Sequence, residues 1–416
     1  MLFLYNTSIR LYFLFIWLVS FFKPKAKLWI MGRVKWDKKI PAGFKNTTNA
    51  WFHFASLGEF EQGKPLLEKY IFRFPTHKIV LTFFSPSGYE IRKNYPLAHL
   101  VLYLPLDTQA NAKKFIDLIN PEIVFVTKYE YWYHFFREIK KRAVPLYMVS
   151  AIFRPQQVYF KFYGAFNRKI LACVSHFFVQ NQVSLSLLKS IGLNNVTCVG
   201  DTRFDTVSNT INHTTSFDLV RDFCAHHPVL IAGSTWYKDE ILLAQLLKTY
   251  PNWKLIIAPH EIGKGRITLL KNIFLDSITY TSMATLASPK QFLQKAQILI
   301  IDTMGMLSSL YNYGQVAYIG GGFGAGIHNT LEAAAFGLPI LFGPKNQKYA
   351  EAVDLIKIRS AFSVANQAEL DAAFLKLSSD SKFRQDAGSK AKVYVQRHIG
   401  ASQKIIDFVG LGNKLH

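Results

Sequence analysis

Residues 316–339 read V-A-Y-I-G-G-G-F-G-A-G-I-H-N-T-L-E-A-A-A-F-G-L-P. Apolar residues run into glycines, and the glycines run into a segment of helical composition, which is the repeating unit of a parallel α/β sheet. Strands of such sheets are buried on both faces, so they look continuously apolar rather than alternating. The same rhythm recurs on either side of this stretch, in P-V-L-I-A-G-S-T (228–235), W-K-L-I-I-A-P-H (253–260), I-L-I-I-D-T (298–303) and L-P-I-L-F-G-P (338–344). An earlier series holds W-F-H-F-A (51–55), K-I-V-L-T-F-F (78–84), H-L-V-L-Y-L-P (99–105), I-V-F-V-T (123–127) and L-Y-M-V-S (146–150). Two doubly wound halves are therefore expected, with a hinge near residues 205–227, which are polar and weakly patterned at their start.

Length agrees, because 416 residues exceed what one hydrophobic core usually serves. Half the residues are hydrophobic and 18% are charged, which excludes a disordered or fibrous class. Cys173, Cys198 and Cys224 stand far apart with no C-x-x-C pair, so neither a zinc site nor a disulfide framework is expected. A formal charge of +22 points to a polyanionic partner: nucleic acid, an anionic membrane or a phosphorylated substrate.

The N-terminus chooses among these. Residues 2–22 approach the length of a membrane span but carry Asn6 and Arg10, so the strictly apolar part is Leu11 to Phe22. The basic stretch that follows, K-P-K-A-K-L-W-I-M-G-R-V-K-W-D-K-K, suits an anionic membrane surface and keeps the downstream chain cytoplasmic. The expectation is a membrane anchor that spans the bilayer or lies in its interface.

In open parallel sheets, ligands bind beyond the carboxyl ends of the strands. The glycines at 320–326, together with a helix expected to begin near Asn329 or Thr330, suit a phosphate, since they offer close backbone approach, unpaired N–H groups and a positive dipole end. The loop is neither the dinucleotide fingerprint nor a Walker loop. Glu332 is either the partner of an Asn329 cap or an acceptor for a ribose diol. The stretch A-S-L-G-E-F (55–60) poses the same choice for Glu59, because Ser56-Leu57-Gly58-Glu59 fits a capping box.

These motifs, with D-T-M-G-M-L-S-S-L-Y (302–311), A-G-S-T-W-Y-K-D-E (232–240) and V-G-D-T-R-F-D (199–205), resemble the 3-deoxy-D-manno-octulosonic acid (Kdo) transferases of lipopolysaccharide assembly. The resemblance covers most of the chain. It implies an α/β chain of two Rossmann-like domains facing across a cleft, the GT-B glycosyltransferase fold, behind an N-terminal membrane-associated helix. The corresponding boundaries are an anchor at 1–22, an acceptor domain at 23–208, a donor domain at 225–395, and a C-terminal helix at 396–416 able to pack back on the first domain. It further implies an inverting transfer of Kdo from CMP-Kdo to a lipid A precursor, lipid IVA, at the cytoplasmic face of the inner membrane. No metal, cofactor or nucleic acid is called for.

The resemblance assigns Glu59 as the general base. The nucleotide falls on Gly321, Gly322, Asn329 and Glu332, with Ser234, Thr235, Asp302, Thr303, Met304 and Gly305 beside them. Arg203 is a donor contact or an ion-pair partner, Glu130 orients the acceptor or is structural, and Arg154 meets an acceptor phosphate or is a plain surface arginine. Ser234-Thr235 can equally cap the helix that follows. Where many members carry P-R-H-P-E-R, this chain has Pro259-His260-Glu261-Ile262-Gly263-Lys264, so His260 or Lys264 must replace the missing arginine as a donor contact. Met306 stands where an acid is common, and Lys128 precedes Glu130 where a second acid is common. Two other readings stay open: a membrane-associated GT-B enzyme using a UDP-sugar, and a noncatalytic anion-binding membrane module.

Overall fold

The computed structural model describes residues 1–212, 214–283, 293 and 295–412. The chain divides into two compact units, Met1–Thr206 with Gly400–His416, and Val207–Ile399.

The first unit contains β1 (Asn49–Phe54), β2 (Lys78–Phe83), β3 (Leu100–Tyr103), β4 (Pro121–Thr127), β5 (Leu146–Ala151), β6 (His176–Val179) and β7 (Val196–Cys198). They form one parallel sheet in the order β3-β2-β1-β4-β5-β6-β7. Successive side chains alternate between faces and both faces are covered: Trp51, Val80, Val124 and Met148 enter one apolar cluster, while Phe52, Leu81, Phe125 and Val149 enter another. This two-sided burial is why the strands read as unbroken apolar runs. The strand order reverses between β1 and β4, so their carboxyl ends flank the topological switch point of the sheet.

β1 leads into the helix Leu57–Arg73, which lays Phe60, Gly63, Leu66, Leu67 and Tyr70 on the sheet. A Cβ on Gly63 would come within 2.4 Å of the Phe54 ring, so only glycine lets this helix lie so close. Pro65 removes the N–H that Glu61 would otherwise accept, and the Thr206 hydroxyl donates to the Glu61 carbonyl instead at 3.0 Å.

The second unit contains β8 (Val229–Thr235), β9 (Lys254–Pro259), β10 (Ser277–Thr279), β11 (Ile298–Ile300), β12 (Val316–Ile319), β13 (Ile340–Phe342) and β14 (Ala361–Ser363), all parallel, in the order β10-β11-β9-β8-β12-β13-β14. Here the switch point lies between β8 and β12.

The segment expected to be a polar hinge holds two helices, Arg203–Asn212 and Asp218–Cys224; His213 lies outside the described residues. Phe204, Val207, Val220 and Phe223 are buried, a helical spacing diluted in sequence by the Ser, Thr and Asn around it. The last helix, Ala401–Gly412, returns to the first unit, where Ala401, Ile405, Ile406 and Val409 join the Phe52 cluster.

Leu2–Val19 is a continuous helix, long and apolar enough to cross a membrane by length and composition. It starts well before the strictly apolar stretch because its polar residues are satisfied by protein. The Tyr5 hydroxyl donates to Asp107 and accepts from the Tyr133 amide at 3.2 Å, and Asn6 Oδ1 meets His134 Nε2 at 2.7 Å. Leu11, Leu14, Phe15 and Leu18 remain exposed. The next helix, Pro24–Arg33, ends on a buried Arg33 that donates to the carbonyls of Leu104 (2.8 Å) and Phe84 (2.8 Å) and lies 3.8 Å from the Trp29 ring centroid. Burial lowers its guanidinium pKa to about 9.

The return of the chain depends on buried Asp205, whose carboxylate accepts the amides of Gly400 (2.6 Å) and Ser402 (2.7 Å) ahead of the last helix. Asp205→Ala should therefore lower the unfolding free energy by roughly 2–4 kcal/mol and open the terminal helix to proteolysis. Unchanged denaturant midpoints and cleavage patterns would show that this carboxylate does not hold the helix.

Candidate functional site

Residues in the left-handed region are rare outside glycine, and where they persist something around them enforces it. Three of them mark the carboxyl ends of strands: Lys128 (φ 63°) after β4, Ser150 (φ 51°) near the end of β5 and Ser234 (φ 55°) near the end of β8. Each lies where a parallel sheet presents ligands.

In the first unit, Glu59 is the third residue of its helix, and the Ala55 amide donates to its Oε2 at 2.6 Å. The reciprocal half of a capping box is missing: the Ser56 side chain makes no cap bond, and Glu59 reaches one residue further back than that motif requires. Burial pushes the Glu59 carboxyl pKa up to about 7; Glu130 adds to the rise, while the Ala55 amide and Lys128 oppose it. A half-buried carboxyl that changes charge near neutrality has the chemistry of a general base.

Glu130, whose side chain is 17% exposed, stands close enough to Glu59 to act on its charge. Its Oε2 accepts from Trp132 Nε1 at 2.9 Å and lies 3.3 Å from His53 Nε2. Arg154 is a surface residue whose backbone amide is capped by Gln157 Oε1 at 2.9 Å. Arg203, expected at the donor, belongs to the first unit and pairs with Asp201 at 2.8 Å; Gln62 Nε2 also donates to Asp201, at 2.7 Å.

In the second unit the glycines serve backbone packing. A Cβ on Gly320 would meet the Ser234 carbonyl oxygen at 2.4 Å, and one on Gly322 would meet Gly343 at 2.6 Å. Gly321, at φ 93°, donates its amide to Asp239 Oδ2 at 2.9 Å, so that N–H is already engaged. Asp239 also accepts from the Trp236 amide (2.9 Å) and the Tyr318 hydroxyl (2.9 Å). Thr235 is fully buried and donates to Glu240 Oε1 at 2.9 Å, which leaves half-buried Ser234 as the accessible hydroxyl of the pair.

The helix expected to open at Asn329 or Thr330 spans only Leu331–Ala335, too short for a strong dipole. Asn329 Oδ1 takes the Leu331 amide at 3.1 Å, while its Nδ2 donates to Glu332 at 2.9 Å. Asp302 takes the Thr281 amide at 3.0 Å and also binds its hydroxyl. Thr303 is half-buried, Met304 is exposed, Gly305 adopts φ 85°, and Met306 is buried.

His260 is exposed and stacks between Trp236 (4.8 Å) and His328 (4.4 Å), with Trp236 Nε1 donating to His328 Nε2 at 3.1 Å. Arg266 pairs with buried Glu240, which also accepts from Thr235. Sequence reasoning passed over Arg266, Trp236 and His328. Asp239 and Glu240 had a local signal, two acids in the first turn of a helix after a buried strand, whereas Arg266 had none, since its partner lies 26 residues away. Among the described residues, no three His, Cys, Asp or Glu gather as a metal would need.

Residues 31–206 match the family model of 3-deoxy-D-manno-octulosonic-acid transferase (kdotransferase). The chain is 28% identical over 354 residues to 3-deoxy-D-manno-octulosonic acid transferase from Aquifex aeolicus (strain VF5), covering 81% of this chain and 88% of that protein. Among solved structures, a putative UDP-N-acetylglucosamine 2-epimerase from Listeria monocytogenes superposes with TM-score 0.62 at 14% identity, covering 89% of this chain and 98% of the other. MurG from Acinetobacter baumannii superposes with TM-score 0.54 at 10% identity, covering 87% and 99%. At such identities these two show the fold alone, that of the GT-B class with two Rossmann-like domains. The family model over residues 31–206 and a relative matched over most of both chains agree, so this chain is similar to the 3-deoxy-D-manno-octulosonic acid transferases.

Proposed function

We propose that this chain transfers Kdo from CMP-Kdo to a hydroxyl of a lipid A precursor, lipid IVA, in lipopolysaccharide assembly, with Glu59 as the general base. The observation that carries the reading is Glu59 itself: a half-buried carboxyl at the switch point of the first sheet, pushed to a pKa of about 7 and bound by one amide. The Glu59 carboxylate takes the acceptor hydroxyl proton as the oxygen bonds to the anomeric carbon and the bond to the CMP phosphate oxygen breaks. Attack opposite the leaving group inverts the anomeric centre.

The surroundings of Glu59 support a lipid acceptor. Exposed Tyr12 of the first helix stacks on Phe84 (6.2 Å), Phe84 stacks on Trp132 (5.1 Å), and Trp132 donates to Glu130 (2.9 Å). The membrane-seeking helix thus abuts the carboxylate pair, and Arg10, Lys23, Lys25 and Lys27 beside its apolar face suit anionic lipid at the cytoplasmic side of the inner membrane. The donor is assigned to the second unit, around Ser234, His260, Met304, Gly305, Asn329 and Glu332, where the Asn329-bound carboxylate of Glu332 offers an acceptor to a ribose diol. Arg154, on the surface of the first unit, is assigned to an acceptor phosphate.

Supplying purified protein and a lipid A precursor with either CMP-Kdo or UDP-N-acetylglucosamine tests the substrate class; consumption of the UDP-sugar alone would overturn the reading. Glu59→Gln should lower kcat by about 10²-fold to 10⁴-fold. Glu59 holds its proton more tightly when folded than at its ordinary pKa of 4.5, so its neutral form favours the native state and that contribution fades as pH climbs towards 7. The glutamine variant should consequently melt no lower than the parent at pH 8. A melting temperature that falls together with activity would return Glu59 to a purely capping role. For the parent, kcat/KM should rise through an acid limb near pH 7, as the carboxylate forms; a flat profile from pH 5 to 8 would exclude this base.

Membrane association is tested separately. Leu11→Asp with Phe15→Asp should weaken flotation with anionic vesicles by at least about tenfold. Full retention on vesicles would place the membrane contact elsewhere.

A further inference from the structure

We propose that His53 is a positioning residue for the transfer: braced by Thr82 on one side, it holds Glu130 from the other as a fixed negative neighbour of Glu59. This rests on the reading of Glu59 as the base. His53 lies near the end of β1, Thr82 on the adjacent β2 and Glu130 just beyond β4, so three parallel strands converge on one polar chain inside an apolar sheet.

The chain has a direction. Trp51 Nε1 can only donate, and it does so to Thr82 Oγ1 at 2.7 Å. Thr82 is fully buried, and His53 Nδ1 lies 2.8 Å from its oxygen. Were Nδ1 protonated, the Thr82 hydroxyl hydrogen would be stranded, because no other acceptor for it is seen among the described residues; an unmade buried bond of this kind is expensive. Thr82 therefore donates to Nδ1, and the neutral imidazole carries its hydrogen on Nε2, facing Glu130 Oε2 at 3.3 Å. Trp132 Nε1 donates to the same oxygen at 2.9 Å. Two N–H donors thus fix the position of this oxygen.

Glu130 is thereby held in place beside Glu59, whose proton affinity its charge raises. The other groups facing the pair do not reverse this. Lys128, at the end of β4, opposes it at Glu59; Arg33, from Pro24–Arg33, stands near Glu130, as do Tyr5 and Tyr12 of the first helix. These remain the same in every variant below.

The test compares kcat/KM against pH for the full-length protein and four variants, with CMP-Kdo and a lipid A precursor. His53→Leu removes the Nε2 donor, so Glu130 is no longer held beside Glu59; the acid limb should shift to lower pH by about one unit while kcat falls about tenfold. His53→Gln, whose side-chain N–H can reach Glu130, should restore the limb. Glu130→Gln removes the charge with little change of shape and should also shift the limb to lower pH, which keeps the test decisive if His53→Leu fails to fold. A limb unmoved in Glu130→Gln, or moved equally in the leucine and glutamine variants of His53, overturns the proposal. Failure of the base reading would show itself differently, as retained activity in Glu59→Gln.

Discussion

A hydrogen bond from the Ala55 amide to Glu59 closes the turn between the central strand of the first sheet and its helix, and much of the site depends on it. Just past a buried strand the backbone has left its ladder, and an unpaired amide there would destabilise the fold. Glu59 meets that need from the third position of the helix, and the same bond aims its carboxyl at the carboxyl end of the sheet. On the proposed reading, capping and proton transfer are two uses of one geometry. The cap points the group; burial then raises its proton affinity.

The second sheet contains an instructive counterpart. Asp239 is also the third residue of the helix that follows its unit's first strand, and it too takes the amide just before that helix, from Trp236. It accepts from the Gly321 amide and the Tyr318 hydroxyl as well, and it is 1% exposed. Three donors saturate a carboxylate sealed from solvent, so Asp239 is a strut that ties the glycine loop to β8 and β12. Glu59 has one amide donor and partial access to solvent, and that spare capacity distinguishes it from Asp239. The Thr235 hydroxyl and the Gly321 amide are likewise engaged inside the protein.

Glu59 and the N-terminal helix are physically continuous. Tyr5 and Asn6 would be liabilities in a simple bilayer span, but here they dock the helix on Asp107, Tyr133 and His134 and leave the later apolar residues facing outward. The aromatic series Tyr12, Phe84 and Trp132 then leads from that helix to Glu130. On the proposed reading, a hydroxyl presented by a lipid-embedded acceptor has a short route to the carboxylate.

Much of this was legible in the chain because the signals are local. A strand buried on both faces must be apolar throughout, so the β-α rhythm and the two-sheet fold could be read from residues 51 to 344, as could the Ser-x-Gly-Glu turn and the apolar N-terminus. Features that depend on strand register could not. His53, Thr82 and Glu130 meet only because β2 and β4 both pair with β1, and no pattern within any one segment encodes that meeting. Arg266 finds Glu240 across two helices in the same way. The packing of the glycine loop was illegible for a related reason: composition shows that the backbone can approach something closely, whereas only the folded chain shows that Gly320 lies against Ser234 and Gly322 against Gly343. Periodicity and composition, which act along the chain, determined the architecture; the spatial pairing of strands decided which acid keeps its proton near neutrality, because that depends on distance and burial rather than on order.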